Sequence, residues 1–192
     1  MMKSIRNLII HQAGLPEERY EQLVVLLKPV QLQKKEYLIR DGNTCSFLGF
    51  VEDGLLRSFI YKDTDEFNID FYLPGTVVSA YTSFLSQTPT HGFIQALSDT
   101  QLHTLSYWQF QQLLQSSSDW YRFGKYLSDQ FFMRKCKRES SLLKDPAKER
   151  YELLLQMYPD IEQRVAQYHI ASYLGIKAES LSRIKALTYI KK

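Results

Sequence analysis

Long apolar runs and cysteine are both scarce in this sequence of 192 residues. No apolar run approaches the roughly 20 residues that a membrane-spanning helix needs, so we expect no membrane segment. The N-terminal stretch has only one short apolar cluster, at residues 8–10, which is too little for a secretory signal. Cys45 and Cys136 are too few for a disulfide framework or a four-thiolate iron–sulfur site, and they suit a reducing cytoplasm.

The net charge is also small, at +3, because two oppositely charged parts of the chain offset each other. Residues 1–118 carry 9 Lys and Arg against 12 Asp and Glu, whereas residues 119–192 carry 15 against 9. The first part is therefore −3 and the second +6. A basic block of this kind favours a polyanionic partner for the C-terminal part. A solvated basic surface without a partner is the alternative that charge leaves open.

From about residue 30 to residue 105 the sequence is typical of a β-domain. Short β-branched and aromatic runs lie at residues 37–39, 47–51, 55–61 and 67–72, separated by Gly, Pro, Asn and Asp. Runs spaced by roughly 8–12 residues predict a sandwich or barrel of the jelly-roll kind. A short helix is predicted before this region, at residues 17–27, and Ser106 is the predicted N-cap of another helix after it.

A long helical segment follows, from about Asp119 to Leu143, with no proline inside it. Apolar side chains recur along it at three- and four-residue steps, at Trp120, Phe123, Leu127, Phe131 and Met133 or Arg134. A helix of this length extends about 37 Å, which is more than so small a β-domain covers. We therefore expect its stripe to meet a second copy of the helix in a two-fold dimer. Packing entirely against its own chain is the alternative.

The segment of residues 167–186 fits the steric pattern of a helix-turn-helix. It follows a predicted break at Asp145-Pro146 and a further helix at about residues 147–157. Ala171 is small where two helices would approach, and Gly175 suits a turn residue with positive φ. Apolar residues that would lock the two helices together occupy the expected spacings: Ile170, Leu174, Ile176, Leu181 and Ile184. An ordinary αα-hairpin shares parts of this pattern and is the alternative.

The second helix of the motif is predicted to present a polar outer face, with Leu181, Ile184 and Leu187 turned inward. That face carries Glu179, Ser182, Arg183 and Ala186. Arg183 is suited to guanine O6 and N7 in the major groove, and Glu179 to the N4 amino group of cytosine. Phosphate contacts are predicted for Lys177, Lys185, Lys191 and Lys192. The residues predicted to bind DNA are therefore Lys177, Glu179, Ser180, Ser182, Arg183 and Lys185. An exposed Glu179–Arg183 pair without a DNA role is the alternative.

Residues 170–176 followed by residues 179–184 resemble the DNA-binding motif of the CRP/FNR family of bacterial transcription regulators. The order of helix, β-roll, long helix, break and helix-turn-helix is similar to that family over nearly the whole chain. The resemblance implies an α+β fold in three parts. Residues 1–118 would form a cyclic-nucleotide-binding-like sensor, a double-stranded β-helix or jelly roll; residues 119–144 a dimerisation helix; and residues 145–192 the helix-turn-helix DNA-binding domain.

The same resemblance implies a cytoplasmic homodimer that binds palindromic double-stranded DNA and contacts RNA polymerase. The family's DNA-reading Glu and Arg fall on Glu179 and Arg183, whereas Ala178 and Lys177 stand where the family has a further base-reading Arg and a Ser or Thr cap. Cyclic-nucleotide binders hold the ribose and phosphate with a Phe-Gly-Glu-Leu segment and a later Arg-(Ser/Thr)-Ala. Residues 76–84 hold no carboxylate and residues 88–97 no arginine, so we expect no cyclic nucleotide bound in the usual way.

A different small-molecule effector is left open by the sequence. Ser79, Tyr81, His91 and Gln95 would line its pocket, or they are ordinary strand and loop residues. The other reading of the whole chain is a small-molecule-binding or metal-dependent, cupin-like jelly roll with a structural helical C-terminus. Metal chemistry on that fold needs clustered histidines and a carboxylate, and the four histidines are scattered along the sequence. We expect no enzyme activity, no cofactor and no metal site, and we expect His169 to contact phosphate or lie at the surface.

Overall fold

The computed structural model describes residues 2–189, with side chains described through Ala186. The chain divides into two compact units. One contains Met1–Ser58 and Phe71–Phe131, and we call it the β-roll unit. The other contains Phe59–Asp70 and Phe132–Lys192, and we call it the helical unit.

The strands form two four-stranded sheets with neighbour orders β1-β8-β3-β6 and β2-β7-β4-β5. Strands β1 and β3 pair antiparallel with β8, β6 pairs antiparallel with β3, and β2 pairs antiparallel with β7. The bounds are β1 Lys28–Leu32, β2 Tyr37–Ile39, β3 Phe47–Asp53, β4 Leu56–Lys62, β5 Asp65–Tyr72, β6 Val77–Val78, β7 Phe93–Ala96 and β8 Thr100–Ser106. The predicted jelly-roll class is confirmed, and the four predicted runs are strands β2 to β5.

Short helices accompany the sheets of the β-roll unit. They are α1 Lys3–Arg6, continued by a π-helical segment Asn7–Gln12, then α2 Glu17–Leu26, α3 Tyr81–Ser86 and α4 Tyr107–Ser116. The predicted cap of α4 is confirmed, since the Gln109 N–H donates to Ser106 Oγ at 3.3 Å and the Ser106 N–H donates to Gln109 Oε1 at 3.1 Å. This reciprocal pair is a capping box.

Helix α5, Ser118–Lys144, is one continuous helix of 27 residues. Its apolar residues Trp120, Phe123 and Leu127 are buried in the core of the β-roll unit. The prediction that this stripe is open to a second copy is therefore wrong for these three residues, because the chain's own β-roll covers them. Met133, one of the two residues predicted for the end of the stripe, is exposed, as are Tyr121, Phe132 and Leu143 outside it.

The helical unit consists of the last part of α5, the β4–β5 hairpin and four further helices in the described residues. These are α6 Ala147–Met157, α7 Ile161–Arg164, α8 Gln167–Leu174 and α9 Ala178–Tyr189. Helix α6 begins directly after Pro146, as predicted, because proline has no N–H to lose at a helix start. Among the helices of the described chain, none is long and apolar enough to span a membrane.

Candidate functional site

Helices α8 and α9 form the predicted helix-turn-helix, and Gly175 makes the turn between them. Gly175 has φ +66°, the left-handed conformation that favours glycine. The Ile176 N–H donates to the Ala171 carbonyl at 3.0 Å and ends helix α8. The Lys177 carbonyl then accepts from the N–H groups of Ser180 and Leu181 at 3.0 and 3.2 Å, which begins helix α9.

The apolar side of the motif is buried as the spacing predicts. Ile170, Ala171 and Leu174 of α8 are buried together with Leu181 of α9. The small side chain of Ala171 leaves room where the two helices pack. Ile184 is half-buried, and the expected inward position of Leu187 lies outside the described side chains. The two helices therefore pack together through a shared apolar side.

The free face of α9 carries the residues assigned to base reading. Glu179, Ser182, Arg183 and Ala186 are all exposed, whereas Ser180 is half-buried. Ser182 Oγ donates to the Ala178 carbonyl at 3.2 Å, one turn earlier in the same helix. Glu179 and Arg183 therefore stand at one exposed patch, four residues apart.

The lysines assigned to phosphate contacts lie in different surroundings. Lys177 is exposed at the turn. Lys185 Nζ instead lies 2.6 Å from Glu162 Oε1 of α7, and their side chains are only 21% and 16% exposed. This ion pair joins α9 to α7, so Lys185 has a structural contact within the unit. Lys191 and Lys192 lie outside the described residues.

His169 is buried, with only 5% of its surface exposed, so the expectation of a phosphate contact or a surface position is wrong. Its Nδ1 lies 3.3 Å from the side-chain nitrogen of Asn68, a residue of strand β5. Its ring centroid lies 4.0 Å from that of Tyr168. The side of α8 that carries His169 therefore packs inside the helical unit.

The four candidate effector residues of the β-roll unit do not converge on one pocket. Ser79 is buried, and its Oγ donates to the Phe47 carbonyl at 3.2 Å. Tyr81 begins α3, and its hydroxyl lies 2.7 Å from Ser128 Oγ of α5. His91 is exposed in the loop before β7, and Gln95 lies within β7. These side chains face separate neighbours.

Aromatic rings fill the space beside α3. The Tyr81 ring stacks on that of Phe131 with centroids 4.3 Å apart. Phe84 is fully buried, with its ring centroid 5.3 Å from that of Tyr107 and 5.8 Å from that of Phe110. The segment after Pro74-Gly75 thus contains strand β6 and helix α3, and Tyr81 and Phe84 of α3 pack against other aromatic rings.

Arg57 is a polar feature of the β-roll unit that sequence reasoning missed. It lies on β4 and is only 3% exposed. Its Nε and Nη2 donate to Gln95 Oε1 at 3.2 and 2.8 Å, and Gln95 Nε2 donates to the Lys35 carbonyl at 3.0 Å. The signal in the sequence was an arginine inside an otherwise apolar strand. A buried guanidinium must find acceptors, and here Gln95 is one of them.

Cysteine and histidine offer no clustered ligand set where the structure describes side chains. Cys45 is buried and Cys136 is half-buried, and both are free thiols. Within the described residues, no three His, Cys, Asp or Glu side chains come together as a metal site would require.

Comparisons with known proteins found a matching domain family and several solved structures of similar fold. Residues 29–117 match the family model of the cyclic nucleotide-binding domain. The fold is similar to the c-di-GMP responsive global regulator CLP from Xanthomonas campestris, with 18% identity over 92% of this chain and 93% of that chain and a TM-score of 0.69. It is also similar to FixK2 from Bradyrhizobium japonicum, with 17% identity over 86% and 85% of the two chains and a TM-score of 0.72.

A transcriptional regulator of the crp/fnr family from Eubacterium rectale is a further similar structure, with 16% identity over 92% of this chain and 85% of that chain and a TM-score of 0.68. The comparison with curated proteins found no match. The chain therefore combines a cyclic-nucleotide-binding-like β-roll with a long helix and a helix-turn-helix. This is the fold of the CRP/FNR transcription regulators, so the predicted resemblance is confirmed at the level of fold.

Proposed function

We propose that this protein is a cytoplasmic, sequence-specific DNA-binding transcription regulator that acts as a homodimer and has no enzymatic activity. The observation that carries the proposal is the helix-turn-helix whose recognition helix, α9, leaves Glu179 and Arg183 exposed on one face. The similarity to the fold of CLP, FixK2 and the crp/fnr regulator supports it.

In this proposal Arg183 donates to guanine O6 and N7, and Glu179 accepts from the N4 amino group of cytosine. Ser180 and Ser182 lie on the same helix and join the interface. Lys177, exposed at the turn, contacts a phosphate and so contributes affinity without sequence choice. Lys185 reaches a phosphate only by exchanging its ion pair with Glu162 for the DNA backbone.

The proposed homodimer is supported by what operator binding requires and by the exposed apolar side chains of α5. A two-fold dimer must present its recognition helices about 34 Å apart to enter successive major grooves. The exposed apolar side chains of α5, among them Phe132 at 69% exposure and Leu143 at 84%, supply a surface for a second copy. Activation through RNA polymerase belongs to the same proposal.

We further propose that the β-roll does not bind cyclic nucleotide in the usual way, although residues 29–117 match that domain model. Residues 76–84 contain no carboxylate for a ribose hydroxyl. Helix α3 within this segment turns Phe84 into the core, and Tyr81 bonds to α5. An effector of another chemistry is the remaining role for this unit.

Selection of bound sequences from random double-stranded DNA tests the proposal directly. The full chain is incubated with the library at low salt, and bound DNA is amplified and sequenced. We expect a palindrome whose half-sites lie about one helical turn apart. Enrichment of an asymmetric site would contradict the homodimer. No enrichment, together with no DNA binding at low salt, would contradict DNA recognition and favour the reading as a ligand-binding or metal-dependent jelly roll.

A further inference from the structure

The tip of the β4–β5 hairpin, residues 59–70, belongs to the helical unit, whereas the remaining residues of these two strands belong to the β-roll unit. The sequence pattern assigns both strands to the sensor domain alone. The hairpin tip therefore folds with the helix-turn-helix while its strands continue into the sheet β2-β7-β4-β5. We call residues 59–70 the docking hairpin.

Ser172 of α8 bonds twice to the backbone of the docking hairpin. Its Oγ donates to the Glu66 carbonyl at 2.6 Å and accepts from the Asn68 N–H at 2.9 Å. The Asn68 side chain is buried and donates to the His169 carbonyl at 3.3 Å. Helix α8 thus bonds to strand β5 through one serine and one asparagine, and the Ser172 hydroxyl acts as both donor and acceptor.

Arg138 of α5 ties the same two elements to the long helix. Its Nη2 donates to the Asn68 carbonyl at 2.8 Å and to the Tyr173 carbonyl at 3.0 Å. The guanidinium carbon lies 4.5 Å from the centre of the Tyr173 ring, within the range of a cation–π contact. Tyr173 lies two residues before Gly175, so this contact holds the end of α8 where the turn begins.

An ion pair and a hydrogen bond hold Asp70, near the end of strand β5. Arg134 Nε lies 3.0 Å from Asp70 Oδ2, and the Tyr158 hydroxyl donates to Asp70 Oδ1. The side chains of Arg134 and Asp70 are mostly buried. The hairpin, the end of α5 and helix α8 are therefore joined by polar contacts at both ends of the hairpin strand β5.

None of these contacts covers the face proposed to read DNA. Glu179 and Arg183 remain exposed, and Tyr168, near the start of α8, is 61% exposed. The docking hairpin is therefore not a steric block. It bonds to the side of α8 that carries His169 and Ser172, and leaves the exposed face of α9 open.

We infer that the docking hairpin is the positioning element of the helix-turn-helix, with Ser172 and Arg138 as its positioning residues. This inference rests on the proposed function. A motif held at one orientation loses little freedom when it binds, whereas a loosely held motif must be ordered by the DNA at the expense of affinity. In a dimer this matters most for an operator that engages both motifs, and least for random DNA held by charge.

The test compares Ser172→Ala with Ser140→Ala, an exposed serine of the same unit, in the full chain. We measure affinity for the selected operator and for random DNA, and hydrogen exchange of the Asn68 amide. Loss of the paired bonds of Ser172 is expected to speed Asn68 exchange and to weaken operator binding about tenfold, with random DNA changed less than about twofold. Ser140→Ala should change none of these.

Arg138→Ala, compared with Lys137→Ala on the exposed side of α5, gives a second readout. Each variant removes one positive charge, so the loss of affinity for random DNA that both variants share measures the effect of charge. Any further loss of operator affinity in Arg138→Ala, relative to Lys137→Ala, measures the effect of positioning. Should Arg138→Ala fail to fold, the milder Ser172→Ala decides by itself.

Operator affinity that stays unchanged while Asn68 exchange accelerates would overturn the inference and leave the proposed function intact. Unchanged Asn68 exchange in Ser172→Ala would overturn it as well, since the contact would then not hold the hairpin. Failure of the wild-type chain to select any DNA would instead remove the proposed function, an outcome that the selection experiment reveals before any variant is made.

Discussion

The candidate effector residues of the β-roll unit and the candidate base-reading residues of the helical unit differ in how far their polar groups are already bonded. In the β-roll unit, Ser79, Tyr81 and Gln95 all bond to groups of the same unit, so a ligand there must displace bonds already made. In the helical unit, Glu179 and Arg183 are exposed on one face of α9. Exchanging an internal hydrogen bond for one to a ligand contributes little net free energy. In the part of the chain that the structure describes, Glu179 and Arg183 have no such bond to give up and are therefore better placed to bind a partner. We therefore expect DNA recognition in the helical unit, where these two side chains make no hydrogen bond or ion pair to a described residue that a partner would have to replace.

Removing a buried aromatic ring from the core of the β-roll unit should have the largest effect on stability. Phe123→Ala deletes a fully buried side chain of the β-roll core and is expected to lower the free energy of unfolding by about 3–5 kcal/mol. Phe132→Ala, on the exposed side of the same helix, should change it by less than about 0.5 kcal/mol in the monomer. Urea denaturation measures both. Equal losses at every protein concentration would contradict the one-sided burial of α5, whereas a Phe132→Ala loss that grows with concentration would report self-association.

The second-largest effect on stability is expected in the helical unit at alkaline pH. Burial, together with the Asp70 carboxylate, raises the pKa values of Tyr158 and Tyr173 above their ordinary value of 10. The unfolded chain releases these protons near pH 10 while the folded chain keeps them. Stability is therefore unaffected below pH 10 and falls above it, by up to about 1.4 kcal/mol per pH unit for each tyrosine.

Denaturation midpoints between neutral and strongly alkaline pH check this expectation. Tyr158→Phe and Tyr173→Phe should each reduce the alkaline loss, and Tyr168→Phe, at an exposed tyrosine, should leave it unchanged. An identical alkaline loss in all three variants would show that the buried pair does not set it.

Base reading should be separable from charge on the exposed motif. Arg183→Ala is expected to cost about 1–3 kcal/mol of operator binding and to relax the preference at one base pair. Lys177→Ala should weaken operator and random DNA alike and lower the slope of affinity against salt by about 1. Competition binding at several salt concentrations distinguishes them. Equal weakening of operator and random DNA by Arg183→Ala would count against base reading.

The smallest effect on stability is expected from Gly→Ala substitutions at two positions of positive φ, one in each unit. Gly14 and Gly175 both have positive φ, at +70° and +66°, and a Cβ at either meets at most ordinary van der Waals contact. Gly14→Ala and Gly175→Ala should each cost about 1–2 kcal/mol of stability, because alanine in this conformation is strained. Only Gly175→Ala should also weaken operator binding. Matching losses of DNA affinity in both variants would mean that global stability, rather than the turn, governs binding.

Features with local causes were predictable from the sequence. The cap at Ser106, the start of α6 after Pro146 and the turn at Gly175 each depend on the chemistry of a few consecutive residues, and all three are present. The strands β2 to β5 follow their β-branched and aromatic runs. Helix α3 was not predicted, because six residues within a β-rich region carry too little periodicity to be told from a loop or strand.

Features that depend on distant contacts were not predictable in the same way. The spacing of Trp120, Phe123 and Leu127 shows that they share a face, and the burial of that face by the β-roll is a tertiary fact. His169 was expected outside the core because a lone histidine carries no sign of Asn68, which lies 101 residues away. Nor does any local pattern join Arg57 to Gln95, which meet only through neighbouring strands.

Local sequence patterns are enough to account for the order of elements, the caps and turns, and the motif that carries Glu179 and Arg183. These follow from backbone chemistry and side-chain period, which act over a few residues. Two features come from tertiary contacts alone. Candidate polar side chains of the β-roll unit bond within that unit, and the docking hairpin bonds to α8. Such outcomes depend on which groups meet after the chain closes long loops, and a linear pattern does not record those meetings.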